Sequence, residues 1–138
     1  MAVADEVLTL LVAALPNDVA VYDASVPGSP PDRYVVLYSN NGQRSPGAWD
    51  GVSRDQSFFF QVTSVASRPN VNASARPRVS WLADKVQSAL TDVELTVPGF
   101  VCGPIQHVLS NPPQVDEDVK DRPTVYAVDQ FSLLASRT

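Results

Sequence analysis

Few residues in this chain have the types and spacing that chemistry requires. His107 is its single histidine and Cys102 its single cysteine, five positions apart. A thiolate beside an imidazole base is the working pair of many nucleophilic sites. Inside one continuous strand, however, an odd offset turns two side chains to opposite faces. The sequence therefore favours a buried thiol and a satisfied or exposed imidazole. Asp116-Glu117-Asp118, with Asp121, offers the carboxylate oxygens that hard cations take. The run lacks the glycine and terminal glutamate of an EF-hand and is flanked by prolines, so it reads as a solvated loop tip. One cysteine and one histidine are too few for a zinc site. No phosphate-binding glycine loop, dinucleotide fingerprint or nucleophile elbow occurs. The expectation is a chain without catalysis, metal or cofactor, and a small hydrolase or metal-binding enzyme using Asp116, Asp118 and His107 is the alternative.

The elements around these residues are regular. Val3, Val7, Leu10, Leu11 and Ala14 recur at helical spacing, Leu8 and Leu15 widen the stripe, and Pro16-Asn17-Asp18 ends the helix. "VAVYD" (19–23) and "RYVVLYS" (33–39) read as strands. The second has Tyr34, Val36 and Tyr38 on one face and Val35 and Leu37 on the other, so both faces should be at least partly covered. "QSFFFQVTSV" (56–65) is a third strand, with Phe58, Phe60, Val62 and Ser64 on one face. Between the last two, residues 40–55 form a long polar connection that contains Asn41-Gly42 and Trp49, too long for a minimal hairpin. A second helix spans 77–90, with Arg76 as N-cap and Pro77 at the first helical position. Val79, Leu82, Ala83, Val86 and Leu90 form its apolar face, Trp81 flanks it, and Arg78, Asp84, Lys85 and Gln87 stay wet. Strands follow at 93–97, 102–110 and 124–135, the last two joined as a long hairpin with an acidic tip. Strand runs punctuated by helices imply an α+β domain: a mixed or antiparallel sheet carrying an N-terminal helix and a central amphipathic helix.

The composition fits one domain over residues 1–138. A chain of this length buries roughly 68–70% of its unfolded surface, and 44% hydrophobic content supplies the core. Twelve prolines against six glycines mark stiff connections. The net charge of −5 argues against sequence-independent binding of duplex DNA, which needs several cations on phosphates. A lone cysteine allows no internal disulfide and fits a reducing compartment. The N-terminal apolar run follows Asp5 and Glu6 and is too short for a membrane span, so a soluble intracellular product is expected.

Four segments in this order, "RYVVLYSN", "FFFQVTSVAS", "WLADKVQSAL" and "TVYAVDQFSLLAS", resemble the tail terminator proteins of long-tailed (siphovirus-like) bacteriophages, and among them the actinobacterial phage branch. The most specific piece joins Gln61–Val65 to Trp81–Val86. The resemblance implies a structural virion protein, assembled in the host cytoplasm and placed at the head-proximal end of the tail. It implies a ring, usually a hexamer, that caps the tail tube, stops its polymerisation and meets the head connector. The partners implied are copies of itself, the tail tube protein and the head-completion protein, with DNA only passing through the pore and no membrane. Another neck or tail-completion component is the neighbouring possibility.

A closed ring joins its subunits head to tail. The charges suggest a pair of surfaces for that contact: Arg44, Arg54, Arg68 and Arg76 on one side, Asp116, Glu117, Asp118 and Asp121 on the other, with Trp49 as an apolar anchor. The competing use of the same carboxylates is an acidic pore lining that repels DNA.

Overall fold

The computed structural model describes residues 2–28, 30–40, 43–44, 55–67, 75–115 and 124–137. They form two helices and eight strands: α1 (Ala2–Ala14), β1 (Ala20–Asp23), β2 (Arg33–Ser39), β3 (Gln43–Arg44), β4 (Asp55–Ser67), α2 (Ala75–Leu90), β5 (Phe100–Cys102), β6 (Gln106–Ser110), β7 (Gln114–Val115) and β8 (Thr124–Arg137). All eight strands belong to one mixed sheet, ordered β1-β2-β4-β8-β5, with β3 beside β4 and with β6 and β7 beside β8. The fold is the expected α+β type, with both helices on one side.

Two long strands make the spine. β4 and β8 pair antiparallel along their whole length, from Asp55↔Ser136 to Ser67↔Thr124. Their alternation decides which face is covered. Phe58, Phe60 and Val62 of β4, and Ala127, Phe131, Leu133 and Ala135 of β8, turn toward the helices and are buried. α2 lies over them, with Val79, Leu82, Val86 and Leu90 fully inaccessible to solvent. Burying each of these side chains contributes about 1.5–3 kcal/mol. α1 packs beside α2 and β1 through Val3, Val7, Leu11 and Leu15, and Pro16 stops it.

β1 runs parallel to β2, from Ala20↔Tyr34 to Asp23↔Leu37. The chain leaves β1 through Ala24, whose φ of 64 lies in the left-handed region and whose N–H donates to the Leu37 carbonyl at 2.9 Å. At the far end of β2, Asn40 interrupts the ladder. Its N–H donates to the Phe59 carbonyl at 3.2 Å, and its side-chain oxygen accepts from the Phe59 N–H at 3.0 Å. Pairing resumes at Gln43↔Ser57, so β2 and β3 form one arm of a long hairpin with β4.

Four expectations need correction. The segment 93–97 is no strand: it makes a single bridge, Glu94↔Pro104. Leu95 and Val97 are still buried while Glu94 and Thr96 are exposed. The alternation reported burial, but no neighbour supplies a ladder. The strand expected over 102–110 is two, because Gly103-Pro104 breaks it and proline removes a donor. Arg76 is not a cap outside the helix, since α2 already begins at Ala75; Pro77 still falls in the first turn, where a missing N–H costs no helical bond. Arg78 and Gln87 are only partly exposed rather than wet. The Arg78 Nε is buried without a partner, and Gln87 reaches into the sheet.

Candidate functional site

The break at Gly103-Pro104 rearranges the two residues with the greatest chemical repertoire. Cys102 sits opposite Ala135, whereas His107 sits opposite Phe131. Five residues on one side thus span four on the other, so the pairing has slipped by one residue between them. A one-residue slip inverts facing. Cys102 and His107 therefore share the helix-covered face instead of lying on opposite faces. Their partners are four residues apart on β8, which at ~3.3 Å per residue is about 13 Å. That is too far for a base to take a thiol proton. Burial pushes the Cys102 thiol above its ordinary pKa, the reverse of what a nucleophile needs.

His107 instead meets Asp129. The carboxylate is fully buried in the middle of β8, and its Oδ1 lies 2.9 Å from His107 Nε2. From the opposite layer, Gln87 Nε2 donates to the same oxygen at 2.9 Å. The imidazole packs against Phe131, ring centroids 5.1 Å apart. Oδ2 of Asp129 and Oγ of Ser64 are buried with no hydrogen-bond partner. Three elements, α2, β6 and β8, thus meet at one oxygen, and the cluster fixes the helix on the sheet. Among the described residues, no three His, Cys, Asp or Glu side chains gather as a metal site would require. A lone Asp inside the apolar run "VYAVDQFSLL" was the available sequence signal for this cluster, and the reading by periodicity passed over it.

The opposite face of the sheet carries no helix among the described residues. Tyr38, Phe59, Val101, Val108, Leu109 and Leu134 are large apolar side chains exposed at 42–65%. Tyr38, Phe59 and Leu134 lie on strands whose alternate positions are buried under the helices. Tyr38, Phe59, Val108 and Gln130 line a shallow hollow of about 300 Å³ on this face. A second hollow lies between Val26, Tyr34, Tyr38 and Tyr126, beside the buried Val36 and Val65. The two-sided apolar pattern of β2 thus matches one face under the helices and one face partly covered by tyrosines.

On the helix side, Arg33 pairs with Asp18 and lies 5.1 Å over the Trp81 ring, while Lys85 approaches the same ring at 5.6 Å. These contacts hold the start of α2 near Ala66, which pairs with Arg33.

The expected interface residues are only partly described. Arg44 lies on β3 opposite Gln56, and Arg76 is exposed in the first turn of α2. The two stand at opposite ends of β4, so they belong to no single patch. Trp49, Arg54, Arg68, Asp116, Glu117, Asp118 and Asp121 fall outside the described residues. The flanks of the acidic run are described: β7 and β8 lead away from it at the Ser67–Thr124 end of the sheet, the end at which α2 begins. No described helix is long and apolar enough to cross a membrane.

No protein-family model and no curated protein matches this sequence. Solved structures do match. A chain from the virion of a native gene transfer agent (GTA) particle superposes with a TM-score of 0.73 over 98% of this chain and 95% of that one, at 16% identity. A second solved chain, also 16% identical, gives a TM-score of 0.55 over 96% of this chain and 90% of its own length. The likeness is end to end and of fold: this chain has the architecture of a protein found in a gene transfer agent virion.

Proposed function

We propose that this chain is a structural virion subunit, a tail terminator. It closes into a ring, caps the head-proximal end of a tail tube, stops tube growth and presents the surface that joins tail to head connector. The observation that carries this reading is the end-to-end likeness, at a TM-score of 0.73, to a chain of a gene transfer agent virion. The resemblance of the β4 and α2 sequences to tail terminators supports it independently. The physical design agrees. Long paired strands β4 and β8, locked to α2 through Asp129 and the apolar core, make a stiff wedge, and a ring needs stiff wedges more than it needs a cleft.

In this reading, the arginines Arg44, Arg54, Arg68 and Arg76 and the carboxylates Asp116, Glu117, Asp118 and Asp121 set register between subunits as separate contacts, since Arg44 and Arg76 share no patch. Isolated rim pairs contribute only ~0–1 kcal/mol each, so several act together, and ring assembly weakens as salt screens them. Replacing Asp116, Glu117 and Asp118 together by Asn, Gln and Asn is expected to impair rings. Normal rings in that variant would return these carboxylates to the pore lining.

Mass in solution combined with negative-stain images of concentrated protein tests the reading. A closed species of one integral stoichiometry, with a central pore, is the expected result. A compact monomer that never associates, alone or on tail tubes, would refute it.

A further inference from the structure

Two oxygens on the helix-covered face of the spine have no protein partner. They are Oδ2 of Asp129 and Oγ of Ser64, and both residues are wholly inaccessible to solvent. Leaving such atoms unpaired is costly, and most buried side-chain oxygens in native proteins bond to protein or to ordered water.

The register brings the two together. Asp129 pairs with Val62 and Ser64 with Ala127, so Ser64 and Asp129 are diagonal neighbours on one face of the β4–β8 pair. Strand order turns Oδ2 toward Ser64. β6 lies on the far side of β8 from β4, and His107 of β6 takes Oδ1 from that side, which leaves Oδ2 on the side of β4. Diagonal Cβ atoms stand about 7 Å apart. Two side chains this short leave their oxygens beyond direct contact, within the ~5 Å that two O–H···O bonds of ~2.8 Å span through one water.

Small neighbours leave the room. Ala127 lies opposite Ser64. α2 meets Arg33, the partner of Ala66, at Trp81 and reaches Asp129 at Gln87. Ala83, on the buried side of the helix between them, therefore falls over the Ser64–Ala127 row. Neither alanine extends past its Cβ, so no bulky side chain from this row fills the space beside Oδ2.

The chemistry of the two oxygens selects what fills it. A hard cation takes about six or more oxygens, and no three His, Cys, Asp or Glu gather among the described residues. An anion would face a carboxylate, and an apolar guest would leave both oxygens unpaired. Water donates one hydrogen to Oδ2 and either donates its other to the hydroxyl or accepts from it. Two polar partners suffice for a buried water.

We infer that Asp129 Oδ2 and Ser64 Oγ hold one buried water between them. It ties β4 into the cluster that already joins α2, β6 and β8, so both spine strands share one polar lock.

A high-resolution crystal structure of the wild-type chain tests this directly. The expected result is a density peak within ~2.6–3.2 Å of both oxygens. An empty space there, or the two oxygens in direct hydrogen-bond contact, overturns the inference. A second test compares Ser64→Thr with Ser64→Val, which share one shape and differ in the hydroxyl, so any cost of the added methyl cancels. With the water in place, valine strips both the water and Oδ2 of a partner, and the threonine chain is expected to melt several degrees higher. In a dry site the threonine hydroxyl is only an orphan in the core. A valine chain that melts at the same temperature or higher overturns the inference.

Discussion

The cluster at Asp129 gives the sharpest energetic prediction. Gln87→Ala removes one of two contacts to a carboxylate that is fully buried and whose second oxygen has no protein partner. A hydrogen bond to a charged group contributes ~1.5–3 kcal/mol, so the substitution should destabilise the fold by about 2 kcal/mol. Asp129→Asn acts differently. It keeps the shape and one acceptor for both neighbours, while removing a charge that is costly to bury. The new Nδ2 becomes a buried donor without a protein partner, which offsets that gain, so the net change should lie within about 1 kcal/mol of zero. In the Asp129→Asn background the Gln87 bond is neutral and contributes only ~0.5–1.5 kcal/mol. The double-mutant cycle should therefore show a coupling of about 1 kcal/mol. Urea unfolding at monomeric concentration, followed by tryptophan fluorescence, measures all four corners, and low concentration keeps assembly out of the apparent stability. Additive costs to within ~0.3 kcal/mol would refute the claim that the carboxylate, and not the packing of Gln87, anchors α2 here.

Other consequences are simpler to read. Leu82 is wholly buried on α2, so Leu82→Asp should cost several kcal/mol through an unpaired charge in the core. Leu82→Ala should cost about 2–5 kcal/mol. An unchanged melting temperature in either would remove this helix face from the core. The raised pKa of Cys102 predicts slow alkylation by iodoacetamide at neutral pH, slower than in the urea-unfolded chain, because the thiolate is the nucleophile. The folded thiol keeps its proton where the unfolded one has lost it, so this contribution is present below the ordinary thiol pKa and declines as pH rises through it. Equal alkylation rates in native and unfolded chain would contradict it.

The main architecture was legible because it is written in periodicity. β2 matched its expected limits, Arg33–Ser39, and β4 and β8 extended theirs by a few residues, since alternating side chains and β-branched content report both burial and ladder. α2 was legible from Val79, Leu82, Val86 and Leu90 at helical spacing. Periodicity fails where burial and pairing separate. Leu95 and Val97 alternate into the core without a strand partner, so 93–97 imitates a strand. The facing of Cys102 and His107 was misjudged for a related reason: parity counts only along an unbroken ladder, and Gly103-Pro104 adds one residue. Asp129 was missed because a polar residue in an apolar strand declares itself only when its partners, here Gln87 and His107, are placed from two other elements. The sheet face that carries no described helix lay beyond the sequence as well, because which face of β4 and β8 receives the helices is settled by packing.

The most direct test of the account is the length and joining of tails in a virus whose gene for this chain is deleted. Electron micrographs should show tail tubes of irregular, excessive length with no heads attached, and supplying the protein in trans should restore one length and the junction. Tails of normal, uniform length joined to heads in the deletion would contradict the assignment of this chain as the ring that ends the tube.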